Sequence, residues 1–282
     1  MWRWLVALVL CGFISTAGVV QAQDLAPAVV SADAPPDVPA EMPAQAGSTQ
    51  VAAAPPAERD VSERTIFLNV LHDQKDLWLF PVTQLAHGHH WVPVVVVTGV
   101  TAGLVALDPH DDPYFRRTAS FSGFDRDFSG NITTAGILIT PASFYLVGLF
   151  DKDVYTRKTG LLAAEALADV TILDEVMKGV TRRLRPSDIP PYGNFSNTFF
   201  KAKGDPFSSS FPSGHAISAF AVATVIAGRY GKQHRWVPYV AYGVAGVIGF
   251  SRITLQAHFP SDVFLGAALG YAVARFDVLR AP

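Results

Sequence analysis

The sequence predicts an all-α fold, a helical bundle of about six core helices with an amphipathic helix in front of them. From residue 61 onwards, apolar stretches of helix length alternate with short polar loops. Only 16% of the 282 residues are charged and 50% are hydrophobic, whereas ordinary globular proteins carry about 25% charged residues. The formal charge of −2 gives no argument for nucleic-acid binding, so we expect no nucleic-acid partner.

Residues 1–22 have the features of a signal peptide for export. Arg3 supplies the positive start, residues 5–20 are uncharged and mostly apolar, and Val20 and Ala22 occupy the cleavage positions. An uncleaved membrane anchor is the alternative. The single cysteine, Cys11, lies inside this segment, so cleavage would leave a chain that no disulfide can stabilise.

Residues 23–60 are rich in alanine and proline, and no aromatic residue occurs between Phe13 and Phe67. Such a segment cannot bury enough apolar surface to offset the entropy that is lost on ordering. We therefore predict a disordered tether over 23–60 and one helical domain over 61–282.

The helices of this domain follow from its pattern of apolar stretches. An amphipathic helix is predicted over 63–85, because Asp73, Lys75 and Asp76 interrupt its apolar residues. Valine runs such as 94–97 favour strand by propensity alone, but the 17 uncharged residues from Trp91 to Leu107 exceed the usual length of a strand. The six core helices are predicted over 91–107, 133–150, 159–182, 214–230, 236–251 and 261–275.

The sequence leaves the membrane topology open. Most of the apolar stretches only approach the roughly 20 residues that a crossing needs, and the third core helix carries several carboxylates, which lipid-facing spans avoid. Basic residues follow the fourth and sixth core helices, as is typical of cytoplasmic loops. With an exported N-terminus, however, six crossings would place the end of the third core helix in the cytoplasm.

Three motifs in the second half of the chain carry the candidate chemistry, and the first is Lys178-x6-Arg185-Pro186. Seven residues are two helical turns, so a continuous helix would place both cations on one face. Pro186 disfavours helix at Arg185, so the helix is expected to end there and to project Arg185 into the loop beside Lys178. Asp174 and Glu175 can pair with Lys178. Alone, this pattern is also typical of a solvated basic helix end, in which the arginines at 182 and 183 would take part.

The second motif, Pro212-Ser213-Gly214-His215, immediately precedes the apolar run 216–227. Proline and serine are common at helix starts. Glycine lets a ligand approach the backbone, and the free N–H groups at a helix N-terminus form an anion site. We therefore expect Ser213 and Gly214 to contact an anion and His215 to lie at its rim.

The third motif is Ser251-Arg252-x5-His258-x3-Asp262. Pro260 is expected to open the last helix, which places Asp262 in its first turn and His258 just before it. Asp262 is then expected to accept a hydrogen bond from one ring nitrogen of His258, leaving the other nitrogen bare for attack. Arg252 offers a fork for two phosphate oxygens.

In order and spacing, these motifs resemble the signature of the type 2 phosphatidic acid phosphatase and vanadium haloperoxidase superfamily. The resemblance covers about residues 170–276 and implies a bundle in which the three motifs converge from separate loops. It implies that His258 is the nucleophile, that Asp262 orients it, and that His215 is the general acid and later the base. It implies no metal or other cofactor for hydrolysis. The residues that it assigns to phosphate binding are Lys178, Arg185, Ser213, Gly214 and Arg252.

The leading hypothesis is an exported phosphatase that hydrolyses phosphate monoesters or pyrophosphates, with lipid phosphates as expected substrates. It predicts a membrane-associated phosphatase domain on the periplasmic face of a bacterial cell envelope. The alternatives are a vanadium-dependent haloperoxidase and a soluble non-specific acid phosphatase. A transport or binding protein would explain the apolar helices but not the paired histidines.

The long loop between the first two motifs, residues 187–211, is rich in aromatic residues. Long loops in compact domains are often lids or binding loops. Two interpretations remain open: the aromatic side chains contact lipid or an apolar substrate tail, or they pack on their own bundle.

Overall fold

The computed structural model of the chain describes residues 59–88 and 90–280. The predicted signal peptide and nearly all of the predicted tether lie outside these residues. The first described residue, Arg59, stands two residues before the expected start of the domain and already contacts the helices: its guanidinium binds Asp73 at 2.8 Å and Glu165 at 3.1 Å.

The described residues fold into helices without any strand, which confirms the all-α class. Two π-helical turns, Pro81–Leu85 and Ala274–Val278, extend the first and last of these helices. The helices are α1 (Ile66–Phe80), α2 (Trp91–Arg117), α3 (Ser122–Asp127), α4 (Gly130–Phe150), α5 (Val154–Thr181), α6 (Gly214–Tyr230), α7 (Val237–Thr254) and α8 (Pro260–Val273).

Helix α2 is longer than predicted. The prolines at 109 and 113 favour a helix end near Leu107, yet the helix continues to Arg117. Asp108 and Asp112, four residues apart on this extension, are both buried, and Asp108 accepts a hydrogen bond from Arg183 at 2.7 Å. A tertiary ion pair therefore stabilises a helical segment that its local sequence disfavours. The short helix α3 was not predicted.

Helix α6 is the centre of the bundle and packs against α4, α5, α7 and α8. Its residues Ile217, Ala221 and Val225 are completely buried in a core shared with α5 and α8. The closest backbone approach is at Gly270 of α8, where a Cβ atom would lie 2.1 Å from the carbonyl oxygen of Ile217. This crossing sets the distance between the helices that carry the second and third motifs.

Two described helices, α2 and α4, are long and apolar enough to cross a membrane. Only 11% and 28% of their most apolar stretches are buried inside the protein, so they differ from the core helices of a soluble protein. Their outward faces expose large apolar side chains such as Val95, Val96, Leu138 and Ile139. These faces support membrane association.

We expect Gly270→Ala to destabilise the bundle, because the new methyl group would overlap the backbone of α6. Overpacking of this kind costs about 1–3 kcal/mol. The matched control is Gly246→Ala in α7, where the new Cβ atom would have no neighbour within 4 Å; it should raise the free energy of unfolding by roughly 0.5–1 kcal/mol, because alanine favours helix over glycine. Thermal unfolding in detergent measures both variants, and equal melting temperatures would contradict the proposed crossing.

Candidate active site

The first two motifs meet at the N-terminus of α6. A Cβ atom on Gly214 would lie 2.7 Å from Asp174 Oδ2 and 3.1 Å from Lys178 Nζ, so only glycine allows this contact without displacing them. Lys178 is buried and donates to Asp174 Oδ2 at 2.6 Å. The free N–H groups of α6 and the Lys178 ammonium thus lie side by side, which suits an anion.

His258 is held by a different partner from the one expected. Its Nδ1 lies 2.7 Å from the backbone carbonyl oxygen of Ser210, whereas Asp262 Oδ2 is 3.7 Å away. The expectation that Asp262 accepts the ring proton is therefore wrong in this structure. Because a carbonyl oxygen can only accept, Nδ1 carries the proton and Nε2 has the free lone pair.

Asp262 instead anchors the segment that holds His258. One carboxylate oxygen accepts from Arg183 Nη1 at 2.5 Å. The other accepts from the Ser210 hydroxyl and from the Phe259 N–H group. Asp262 therefore acts on His258 through Ser210, whose carbonyl oxygen fixes the tautomer of the ring.

Arg183 is at the centre of this network, although it is not one of the predicted site residues. Its side chain is buried, donates to both Asp262 and Asp108, and lies over the ring of Phe259 with its guanidinium carbon 4.0 Å from the ring centroid. Ser261 also accepts a hydrogen bond from Arg183 at 2.7 Å. The one available signal was the group of three carboxylates, Asp108, Asp111 and Asp112, that follows the apolar stretch of α2, because a buried carboxylate needs a cation.

His215 lies at the edge of the site against the start of α4. Its Nε2 is 2.9 Å from the hydroxyl oxygen of Thr134 and 3.2 Å from the carbonyl oxygen of Gly130. Burial and the positive charge of Arg252 lower the pKa of His215 to about 4. In the unliganded protein the ring is therefore neutral at physiological pH, and a bound dianion would reverse this electrostatic effect.

Arg252 approaches the same segment from α7. It is buried, and it donates to the carbonyl oxygen of Phe128 and to the Ser251 hydroxyl. Burial lowers the pKa of Arg252 to about 10, so the guanidinium stays charged at neutral pH. No carboxylate forms an ion pair with it among residues 59–88 and 90–280, which leaves its charge available to an anion.

Two predicted phosphate ligands have other contacts in this structure. The Ser213 hydroxyl caps α6 by accepting from the Ala216 N–H group at 3.4 Å, and the Ser213 N–H group donates to the carbonyl oxygen of Asp262. Arg185 lies beyond the end of α5, which stops at Thr181, and donates to the carbonyl oxygen of Ser208 at 3.1 Å. Arg185 therefore lies in the loop after the helix, as predicted.

The aromatic residues of the loop 187–211 fall into two groups, one packed on the bundle and one exposed. Phe195 and Phe211 are buried, and Phe199 packs against Phe211 and against Arg183. These rings cover the Arg183 network, so they stabilise the site rather than contact a substrate. The rings that face outward are those of Tyr192, Phe200 and Phe207.

A comparison of the chain with known protein families finds the same superfamily that the three motifs resemble. Residues 157–279, which contain all three motifs, match the model of the PAP2 superfamily. This part of the chain is similar to the PAP2 superfamily. The helices that position the site, α5 to α8, all fall within or overlap the matched region.

Three curated proteins illustrate the range of relatives. A lipid A 1-phosphatase of Porphyromonas gingivalis is 44% identical over 66 residues, 23% of this chain and 15% of that protein. An undecaprenyl-diphosphatase of Sulfolobus acidocaldarius is 31% identical, over 44% of this chain and 55% of that protein. A phosphatidylglycerophosphatase B of Bacillus subtilis is 35% identical, over 44% of this chain and 61% of that protein. The chain thus spans less than two thirds of each relative.

We expect Asp262→Ala to lower both activity and stability, because it removes one of the two carboxylates that bind Arg183. Breaking a buried ion pair costs about 3–5 kcal/mol. His258→Ala is the control: it should abolish activity while costing only about 1 kcal/mol, the usual contribution of one hydrogen bond. Melting temperatures and turnover of both variants test this, and an Asp262→Ala protein with an unchanged melting temperature would show that Asp262 only orients the ring.

His215 should take up a proton when an anion binds. With a pKa of about 4 in the free protein, the ring is neutral at pH 6, and a neighbouring dianion favours the imidazolium form. Vanadate binding measured by calorimetry in buffers of different ionisation enthalpy should show an uptake approaching one proton at pH 6. Equal proton uptake by His215→Asn would contradict the assignment.

Proposed function

We propose that this protein is a lipid phosphatase that transfers the phosphoryl group to His258 and then to water. One observation carries the proposal: the 2.7 Å contact between His258 Nδ1 and the carbonyl oxygen of Ser210. It leaves Nε2 with a free lone pair, as a nucleophile at phosphorus requires. A histidine that served only as a structural cap would not need its tautomer fixed by a buried network.

The phosphate is bound between α6 and α7. Lys178 and the N-terminal N–H groups of α6 face it from one side, and Arg252 faces it from the other. Little covalent chemistry is left to the protein in phosphoryl transfer, so catalysis depends on positioning and on charge stabilisation at the phosphoryl oxygens. These groups provide both.

In the first step, Nε2 of His258 forms a bond to phosphorus while the bond between phosphorus and the leaving oxygen breaks. His215, in the imidazolium form that the bound dianion favours, gives its proton to the leaving oxygen, and the lipid alcohol departs. The phosphorylated ring carries a positive charge, which the carbonyl oxygen of Ser210 offsets by accepting from Nδ1. The hydroxyl of Ser210 is in turn bound to the carboxylate of Asp262.

In the second step, a water molecule attacks the phosphohistidine. Neutral His215 accepts a proton from this water as the oxygen–phosphorus bond forms. The bond between phosphorus and Nε2 breaks, and inorganic phosphate and the starting tautomer of His258 are regenerated. The same residue thus serves as acid and then as base.

An apolar surface beside this site supports a lipid substrate. The rings of Phe124 and Phe128 stack with centroids 4.7 Å apart, and Phe250 packs against Phe124 at 5.7 Å. This aromatic wall (Phe124, Phe128 and Phe250) adjoins the site directly, because Arg252 donates to the carbonyl oxygen of Phe128. The three relatives bear the names of enzymes that act on lipid phosphates, which supports the same substrate class.

The proposed location of the enzyme is a membrane of the cell envelope, which it reaches by export. The outward apolar faces of α2 and α4 support membrane attachment, and the signal peptide predicted over 1–22 supports export to the cell envelope. N-terminal sequencing of the mature chain tests the export: we expect it to begin at Gln23, and a chain with residues 1–22 intact would contradict cleavage.

Substitution of the two histidines should separate the two steps. We expect His258→Ala to abolish turnover, because no nucleophile remains. His215→Ala should accumulate a phosphoenzyme from an aryl phosphate, whose good leaving group needs no general acid, because activation of water is then lost. Acid-labile phosphate on the protein, followed by mass spectrometry after rapid quenching, measures the intermediate.

Vanadate should inhibit the wild-type enzyme, and chelators should not. Loss of activity in a chelator with recovery on adding a divalent metal would refute the metal-free mechanism. Peroxide-dependent halide oxidation by the vanadate-loaded protein, without phosphatase activity, would favour the haloperoxidase alternative.

The aromatic wall provides a test of the lipid substrate. Phe250→Ala should lower kcat/KM for a lipid phosphate about tenfold, because burying an aromatic ring contributes about 1.5–3 kcal/mol, while leaving an aryl phosphate within twofold. Tyr239→Ala, which removes an exposed ring from the other end of α7, is the control and should change neither. Equal losses on lipid and aryl phosphates would contradict a role in binding the chain.

A further inference from the structure

The first turn of helix α4 contacts the side chain of His215, although α4 carries none of the three motifs and precedes the matched region 157–279. The Nε2 atom of His215 lies 2.9 Å from the hydroxyl oxygen of Thr134 and 3.2 Å from the carbonyl oxygen of Gly130. These two residues are four apart, so they share one face of the helix. A single ring nitrogen is thus held by two oxygens of α4.

The hydroxyl of Thr134 differs in its contact from that of Thr140 in the same helix. A threonine hydroxyl inside a helix commonly donates to the carbonyl oxygen four residues earlier, as Thr140 does to Gly136 at 2.7 Å. For Thr134 the corresponding carbonyl oxygen is that of Gly130. The imidazole of His215 contacts both this carbonyl oxygen and the Thr134 hydroxyl, so it occupies a hydrogen-bonding position that a helix commonly fills itself.

The contact with Gly130 decides the tautomer of His215. Because a carbonyl oxygen can only accept, the proton of the neutral ring is on Nε2, and Nδ1 has the free lone pair. The hydroxyl oxygen of Thr134 accepts from the same N–H group. In His258 the arrangement is the opposite, since its Nδ1 donates to the carbonyl oxygen of Ser210. The two histidines of the site therefore leave different ring nitrogens free.

The start of α4 is a fixed support for the ring, because the segment before it is bound to α7. Arg252 donates to the carbonyl oxygen of Phe128, two residues before α4 begins. The Thr254 hydroxyl donates to Asp125 of α3 at 2.5 Å. Both ends of this short segment are thus tied to the helix that supplies the phosphate-binding arginine.

The ring of His215 lies between this support and the phosphate site. It is close enough to Arg252 and Lys178 for their positive charges to act on it, and Gly214, the preceding residue, lies against Lys178. Since Nε2 already carries a proton that α4 holds, the proton that arrives with a bound dianion must go to Nδ1.

We propose that Thr134 is a positioning residue for the general acid and fixes His215 so that Nδ1 exchanges the proton. The inference rests on the proposed phosphatase function. In the first step the Nδ1–H bond breaks and the leaving oxygen gains the proton; in the second step Nδ1 takes a proton from the attacking water. Thr134 contacts no reacting atom and acts only through the ring of His215.

The test compares two soluble substrates of similar size, para-nitrophenyl phosphate with a good leaving group and para-methylphenyl phosphate with a poor one. Thr134→Val should lower kcat/KM for the methylphenyl ester about tenfold, a part of the roughly 10²–10⁴-fold that general acid–base catalysis contributes. The nitrophenyl ester should stay within about twofold, because its leaving group needs little help from an acid. Thr134→Ser should restore the wild-type ratio of the two values.

The matched control is Thr140→Val, which removes from the same helix a hydroxyl that is bound within the helix; it should change neither substrate. Equal losses on both substrates in Thr134→Val would indicate a general structural effect and overturn the proposal, as would unchanged values. In a His215→Asn background, Thr134→Val should have no further effect on the ratio. A further change there would show that Thr134 does not act through His215.

The chemical shifts of the ring nitrogens separate this proposal from the phosphatase function. The signals of His215, assigned by their loss in His215→Asn, should show the Nε2–H tautomer at neutral pH in the anion-free protein. An Nδ1–H tautomer would overturn the proposal even in an active enzyme. A wild-type protein that hydrolyses neither ester but shows the Nε2–H tautomer would refute the phosphatase function and leave the assignment of the tautomer intact.

Discussion

The buried guanidinium of Arg183 joins three parts of the chain that are far apart in sequence. It binds Asp108 near the end of α2 and Asp262 at the start of α8, and it lies itself just beyond α5. Because a buried charge without a partner is very costly, these three residues must come together for any of them to be buried. The position of Ser210, and with it the tautomer of His258, depends on this assembly.

Around this network, the site is prepared for an anion before the anion arrives. Lys178 is held by Asp174, and Arg252 is held by a backbone carbonyl oxygen and a hydroxyl. Their placement, together with burial, keeps His215 neutral until a dianion binds. In the proposed mechanism, the proton needed by the leaving group is thus acquired together with the substrate, which would couple binding to the first chemical step.

The surroundings of the site differ on its two sides. The aromatic wall beside Arg252 presents apolar rings, and a cavity beside Arg185 presents cations. Substrate preference is therefore expected to depend on these surroundings as well as on the groups that bind phosphate.

The helices could be predicted from sequence, because apolar periodicity is local information, and the motifs likewise supplied the candidate reacting residues. Apolar periodicity placed the core helices from α4 to α8 close to their observed bounds, and the spacing within each motif indicated His215, Arg252 and His258. The extension of α2 past two prolines could not be predicted, since a partner more than 70 residues away, Arg183, stabilises it.

The partners of the site residues were likewise decided only by the tertiary structure. Asp262 stands four residues after His258, so the sequence favoured a direct hydrogen bond, but the packed chain places the carbonyl oxygen of Ser210 closer. Arg183 and Arg185 look alike in sequence, and only the fold buries one and leaves the other at a cavity. The sequence by itself determined which chemical groups are present; which of them face each other depends on long-range burial of charge, which no local pattern records.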